Sequence, residues 1–180
     1  MPRLTPITTK AALASEHQPV ADKVMEVFGH IRGPFSMMLH SPKLAEQLLP
    51  LVTFVRHETI IKANHRFAGI LTAACERNAT YVWAAQVEQA RKNGVREELI
   101  DVIRAKGDPE KLPADEAENV NYVRQLMRTN RVDQGTFDTL NNKYGAQWMV
   151  ELTGMVNFFG FVSGVCNAFE VSPPEGGDKL

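Results

Sequence analysis

Residues 70–95 read ILTAACERNATYVWAAQVEQARKNGV. The apolar first part ends at Glu76, and Thr80 after it is a typical helix N-cap, so the stretch predicts a helix, a short turn and a second helix. Asn93 followed by Gly94 is a typical C-cap sequence and predicts where the second helix ends. Since the sequence shows no sustained apolar–polar alternation of the kind that strands have, the predicted class is all-α.

The rest of the 180-residue chain extends this pattern on both sides, and 44% hydrophobic content suits one domain with a sizeable core. We predict a polar N-terminal arm over residues 1–18, the domain over residues 19–174 and a tail over residues 175–180. Residues 152–169 carry no charge and are long enough to raise the question of a membrane span. Because they include polar side chains and glycines between acidic flanks, we interpret them as a helix buried by the core and by a neighbouring subunit.

Charge and cysteine content exclude several classes of function. Twenty basic and 21 acidic residues leave a net charge of −1, so neither nucleic acid nor an anionic membrane is an expected partner. The N-terminal sequence has no apolar secretory segment, and a cytoplasmic protein is expected. Cys75 and Cys166 are far apart in apolar surroundings and are expected to be buried free thiols. The five histidines give no i, i+4 pair, so no metal site is predicted.

Residues 70–95 resemble the core motif of the carboxymuconolactone decarboxylase family, which includes the alkyl hydroperoxidase AhpD. In that family the second helix begins with either a Cys-x-x-Cys pair or a Tyr-Glu-Trp run that has a His three residues after the Trp. Further landmarks follow in family order at 39–42, 55–59, 144–145, 150–152, 166–169 and 173–174. The resemblance implies an all-α, AhpD-like helical bundle that assembles as a homo-oligomer, commonly a trimer or hexamer.

The chemistry of the motif is altered in this chain. The two cysteine positions are Ala79 and Val82, the histidine position is Gln86, and a glutamate of the preceding helix is replaced by Phe67. A disulfide-cycling hydroperoxidase needs two nearby sulfurs, so AhpD activity is disfavoured. Amide and hydrocarbon side chains do not exchange protons near neutral pH, so decarboxylase-like chemistry requires a different acid or base.

Three other side chains are candidates for that catalytic role. His57 and Glu58 lie beside Arg56 at the turn before the motif and bring together an imidazole, a carboxylate and a cation. The alternative is a solvated helix end in which Arg56 pairs with Glu58. Glu151 precedes the uncharged segment, where burial would suit a general acid or base, and its alternative is a helix-terminal acid or an ion pair between subunits.

Six residues are candidates for substrate binding. They are Arg56, Phe67, Tyr81, Trp83, Gln86 and Asn157. Gln86 can hold a carbonyl or carboxylate group through its amide, and Asn157, an amide expected to be buried on an apolar helix, needs a hydrogen-bond partner. Trp83 shares a helical stripe with Val87 and Ala90, so a place in the core is its alternative.

The sequence therefore predicts a decarboxylase-like enzyme of the lyase type that acts on a small carboxylated or lactone-type organic molecule. No metal or organic cofactor is expected. The substrate is expected to lie between the turn at residues 56–58 and the face at residues 81–86, where His57 exchanges a proton. Two alternatives stay open: an AhpD-like hydroperoxidase, which the absence of Cys-x-x-Cys disfavours, and a non-catalytic small-molecule-binding or interaction protein, which the same replacements favour.

Overall fold

The computed structural model describes residues 2–180, and all regular structure in this range is helical. The α-helices are α1 (Gln18–Phe28), α2 (Pro34–Met38), α3 (Pro42–Thr53), α4 (Ala63–Glu76), α5 (Thr80–Lys92), α6 (Glu97–Arg104), α7 (Ala114–Thr129), α8 (Gln134–Tyr144) and α9 (Ala146–Ala168). A π-helical turn, Phe54–Glu58, continues α3, and short 3-10 helices cover Lys10–Ala12, Ser15–His17 and Pro109–Lys111. The predicted all-α class is confirmed.

The chain forms two compact units. The N-terminal unit comprises Met1–Thr59 with Val165–Ser172, and the C-terminal unit comprises Ile60–Gly164 with Pro173–Leu180. Helix α9 begins in the C-terminal unit, and its last residues belong to the N-terminal unit. The domain boundaries predicted from sequence stay predictions.

In the N-terminal unit, α1 and α3 pack against each other. Pro19 stands in the first turn of α1, where the backbone N–H that proline lacks would have no partner within the helix. Gly29 ends α1 in the left-handed conformation, with φ of 74°. The N-terminal arm also contacts this unit: Ile7 is buried, and its N–H donates to the Ser36 carbonyl at 3.0 Å.

Helix α4 is the centre of the C-terminal unit. It packs against α5, α6 and α7, and residues 67–75 are all buried. A Cβ atom added to Gly69 would lie 3.1 Å from side-chain carbons of both Leu152 and Val156 in α9. The absence of a side chain at Gly69 therefore permits the close approach of α9 to α4.

The turn between α4 and α5 has the predicted position. Asn78 adopts a left-handed backbone with φ of 50°, which asparagine tolerates better than most residues. The Ala79 carbonyl accepts the N–H of Trp83 at 2.8 Å, so the hydrogen bonds of α5 start at Ala79. The prediction of Thr80 as the N-cap is wrong by one residue, because Ala79 holds the cap position and Thr80 is the first helical residue.

Helix α9 is long and apolar enough to cross a membrane by length and composition alone. Within its most apolar window 44% of the residues are buried in the protein, and the core helix of a soluble protein meets the same criterion. Six of the exposed positions recur at intervals of three and four residues, which places them on one face. We call this face the α9 stripe, and it consists of Val150, Gly154, Asn157, Phe161, Gly164 and Ala168. No member of the stripe is charged.

Candidate functional site

Three positions that the family motif uses for chemistry are buried and apolar here. Ala79 is fully buried, and Val82 and Phe67 are 2% and 5% exposed. Phe67 packs in a core cluster with Leu71 and Trp83. In the C-terminal unit these three positions therefore contribute packing.

Cys75 lies about one helical turn before Ala79, the first of the two positions at which the family motif can carry cysteine. Its Sγ donates to the backbone carbonyl of Ile103 at 3.1 Å, and the residue is 1% exposed. Burial raises the pKa of Cys75, and burial raises the pKa of Cys166 in the N-terminal unit to about 12. Both cysteines are free. Since the thiolate is the nucleophile, neither side chain is suited to thiol catalysis.

We therefore expect both thiols to react slowly with Ellman's reagent in the native protein and at once in denaturant. The physical reason is burial combined with a raised pKa, which keeps the thiolate fraction low. The Cys75→Ser variant is expected to retain native activity, and no turnover of organic hydroperoxides with a dithiol is expected. Hydroperoxide turnover that is lost in Cys75→Ser would contradict this prediction.

Helix α5 carries three of the predicted binding residues. Tyr81 and Gln86 are half-buried, so part of each polar side chain reaches the surface. Trp83 is fully buried in the core cluster, which agrees with its alternative interpretation as a core residue. Its indole Nε1 still has a polar partner, because it donates to Asp178 Oδ1 at 3.1 Å.

In the N-terminal unit, the π-helical turn after α3 carries Arg56, His57 and Glu58, and all three are exposed. Arg56 donates to the carbonyl of Val27 at 2.8 Å, and its guanidinium lies 5.3 Å from the ring centroid of Phe28. These contacts fix Arg56 at the C-terminal end of α1, where a cation is favoured by the helix dipole. The exposed His57 and Glu58 follow it on the same turn.

The two predicted site residues of α9 differ in their surroundings. Glu151 is half-buried, and its carboxylate accepts hydrogen bonds from the Ile60 N–H at 2.9 Å and from Gln147 Nε2 at 2.8 Å. It therefore ties α9 to the segment before α4. Asn157 was expected to be buried, and it is exposed instead, with its amide donating to the carbonyl of Thr153 at 2.9 Å.

Hydrogen-bond donors on α5 and α6 surround the carboxylate of Asp178, and the sequence did not reveal this group. Asp178 Oδ1 accepts from Arg104 Nη2 at 2.6 Å as well as from Trp83, and Asp178 Oδ2 pairs with Arg91 Nη2 at 2.9 Å. Burial acts to raise the pKa of Asp178, but hydrogen bonds from Trp83, Arg104 and Arg91 outweigh it and leave that pKa below its ordinary value. We call Trp83 Nε1, Arg91 and Arg104 the donor cluster.

A second unforeseen polar group lies at the start of α4. His65 Nε2 is 3.3 Å from Asp115 Oδ2, and the buried imidazole makes T-shaped contacts with Tyr144 and Trp148 at centroid distances of 5.2 Å and 5.7 Å. Those two rings stack on each other at 4.3 Å, and Asn119 donates to the His65 carbonyl at 2.8 Å. The stacked pair packs directly on the imidazole, so we interpret this group as structural.

Neither group follows a local spacing rule. Asp178 is 95 residues from Trp83, and His65 is 50 residues from Asp115. For the group around Asp178, one feature of the sequence could have indicated a polar partner. A buried tryptophan N–H needs an acceptor, and Trp83 was a candidate core residue.

No family model and no curated protein matches the sequence. Among solved structures, the chain is similar to a cysteine-to-alanine variant of the debrominase Bmp8 in complex with 2,3,4-tribromopyrrole, with a TM-score of 0.75 and 15% identity over 96% of this chain and 93% of that one. It is also similar to an Agrobacterium tumefaciens protein of unknown function, for which the antioxidant defence protein AhpD is the suggested identity. That likeness has a TM-score of 0.64 and 16% identity over 76% of this chain and 94% of that one. At these identities the shared property is the fold, and the chain has the all-α AhpD-like fold that its motif predicts.

Proposed function

We propose that the protein is a cofactor-free enzyme that acts on a small carboxylated or lactone-type organic molecule through proton transfer. The observation that carries this proposal is an AhpD-like frame in which Ala79 and Val82 are buried and apolar while Tyr81 and Gln86 on the same helix stay partly exposed. Phenol and amide groups bind carbonyl and carboxylate oxygens but cannot cycle a disulfide. The debrominase with this fold binds a small bromopyrrole, which supports a small organic ligand here.

His57 is the proposed proton carrier, because an imidazole can exchange protons near neutral pH and this side chain is exposed. Glu58 and Glu151 are the other proposed acid–base groups, and Gln86 and Tyr81 are proposed to orient the substrate. The π-helical turn that carries His57 supports this assignment, since such turns are frequent at functional sites.

The test uses purified protein, a metal chelator and a panel of carboxylated γ-lactones with their open-chain acids. Loss of substrate and release of carbon dioxide are followed together. Turnover of a panel member in the presence of chelator supports the proposal. Turnover that requires an added metal contradicts the cofactor-free part of it, and a panel without turnover or saturable binding contradicts the substrate class.

A non-catalytic small-molecule-binding protein is the second candidate. The observation that favours it is the replacement of the motif's thiol and acid–base positions by buried Ala79, Val82 and Phe67. Saturable binding of a panel member without turnover supports this candidate over the enzyme.

We also propose that the protein is a soluble cytoplasmic homo-oligomer, either a trimer or a hexamer, that assembles through the α9 stripe. An uncharged helical face with two glycines allows close helix packing. Among residues 2–180, and apart from the backbone of α9 itself, nothing lies within 4 Å of a Cβ atom added at Gly154 or Gly164, so there is room for a partner helix.

Light scattering is expected to give a multiple of the 20.1 kDa chain mass. Phe161→Glu is expected to lower the assembled mass, because it places a charge in the α9 stripe. Phe137→Glu is the matched control, since Phe137 on α8 is 38% exposed and Phe161 is 42% exposed. A monodisperse wild-type mass equal to one chain would contradict the assembly, and equal masses for both variants would contradict the role of α9.

A further inference from the structure

The donor cluster holds the Asp178 carboxylate through both of its oxygens. Each oxygen of Asp178 faces a different guanidinium, and Oδ1 also accepts the indole N–H of a fully buried tryptophan. The Asp178 side chain is only 15% exposed. Charge-assisted hydrogen bonds of this kind are shorter and stronger than neutral ones, so the cluster binds the Asp178 carboxylate firmly.

One donor of the cluster is left unused. Arg104 Nε is buried and has no hydrogen-bond partner among residues 2–180, although Arg104 Nη2 on the same guanidinium binds Asp178. Guanidinium groups commonly bind carboxylates through two parallel hydrogen bonds. Asp178 is restricted by its own backbone, and it engages the cluster without satisfying this donor.

The segment that carries Asp178, residues 173–180, has no regular secondary structure. Residues 173–180 contain one backbone hydrogen bond that turns the chain, from Gly177 N–H to the Pro174 carbonyl at 3.0 Å. A Cβ atom added at Gly177 would lie 3.0 Å from the Cβ of Ala84, so the backbone itself covers α5 at this point. Leu180 packs at the edge of the core cluster.

We propose that Trp83 Nε1, Arg91 and Arg104 form a binding site for the carboxylate of a small organic ligand, and that Asp178 of the same chain occupies this site as a displaceable substitute. When the segment leaves, a ligand carboxylate takes over the bonds to Trp83 and Arg91 and also reaches Arg104 Nε. The choice of ligand rests on the proposed function. The test measures binding rather than turnover, so failure of this site leaves the turnover assay unaffected.

The charges around the donor cluster determine how strongly we expect it to bind a ligand carboxylate. Arg91 also pairs with Glu97 at 2.6 Å, and Arg104 also pairs with Asp101 at 2.7 Å. Both acidic partners are more than half exposed, so water screens their charge more than that of the buried bonds. Without Asp178 the four remaining side chains sum to zero charge, so we expect binding that depends on hydrogen-bond geometry more than on long-range attraction.

Benzoate is the probe, and benzamide is its uncharged counterpart. In the Asp178→Ala variant, benzoate is expected to bind about 10-fold or more tightly than in wild type, because the docked segment no longer competes. Adding Arg104→Gln to that variant is expected to weaken benzoate binding by about 10-fold, the scale of a lost hydrogen bond to a charged group. Benzamide lacks the carboxylate and should bind the Asp178→Ala variant more weakly than benzoate does. Asp138→Ala, on an exposed aspartate of α8, is the matched control and should bind benzoate as wild type does.

The readout is the indole N–H resonance of Trp83, identified by its absence in Trp83→Phe, with calorimetry for affinity. If Asp178→Ala folds poorly, the wild-type protein gives the same answer, because saturating benzoate should shift the Trp83 resonance. A folded Asp178→Ala variant that binds benzoate no better than wild type overturns the proposal. The role of Asp178 is then only to hold residues 173–180 against α5 and α6. Inorganic phosphate that binds as tightly as benzoate overturns the carboxylate assignment.

Discussion

Replacing Glu76 with glutamine is expected to lower the free energy of unfolding by about 3–5 kcal/mol, the scale for breaking a buried ion pair. Glu76 is the last residue of α4, and its side chain is 7% exposed. It accepts two hydrogen bonds from Arg128, at 2.6 Å and 2.8 Å, and lies 3.7 Å from Arg124, whose side chain is 8% exposed. Burial lowers the pKa of Arg124, and the nearby Glu76 carboxylate acts in the opposite direction by favouring the charged guanidinium.

Urea unfolding at neutral pH measures the effect. Glu88→Gln is the control: Glu88 pairs with Lys92 on the exposed face of α5, and its loss should cost less than about 1 kcal/mol. Replacing Glu76 and Arg124 together by methionine should cost less than Glu76→Gln alone, since no buried charge is then left unpaired. A Glu76→Gln effect as small as that of Glu88→Gln would show that water reaches the pair in solution.

The His57→Ala variant is expected to lower turnover of a panel substrate by about 100-fold or more, the usual scale for a lost general acid or base. His57 is exposed on the π-helical turn, so its removal should leave stability nearly unchanged. Gln86→Ala is expected to raise KM with little change in kcat, because an orienting amide contributes to binding in the ground state as well. Steady-state kinetics of the two variants on one substrate separate these roles.

His40→Ala is the matched control for His57→Ala. His40 is an exposed histidine of the same unit, and its Nε2 lies 3.0 Å from the Thr5 carbonyl, so its loss should not affect turnover. Wild-type turnover in His57→Ala would exclude the proposed role and transfer it to Glu151, or leave the protein without catalysis.

The helices around residues 70–95 could be predicted because their signals are local. A buried apolar run, a polar turn and an Asn-Gly sequence each act within a few residues. The end of α4 and both ends of α5 lie close to the predicted positions. The cap of α5 was missed because Thr80 is the better capping side chain. Backbone hydrogen bonding to the Ala79 carbonyl determined the start of the helix instead.

Long-range contacts and the orientation of α9 could not be predicted in the same way. The sequence of α9 is apolar on several faces, so its pattern did not show that Asn157 points outward. The donor cluster joins α5 and α6 to a segment that composition alone suggested was a tail. Local spacing carries no information on such pairs, whereas the need of a buried indole N–H for an acceptor does.

The contact at Gly69 has a consequence for how this sequence can diverge. Any side chain at position 69 must share space with Leu152 and Val156, which already lie 3.1 Å from where its first carbon would be. Homologous chains with alanine at this position should therefore carry a shorter side chain at 152 or 156, and the three positions should change together over evolutionary time. Positions 69, 152 and 156 would then appear in an alignment as a correlated set, although they lie on two helices that are far apart in the chain.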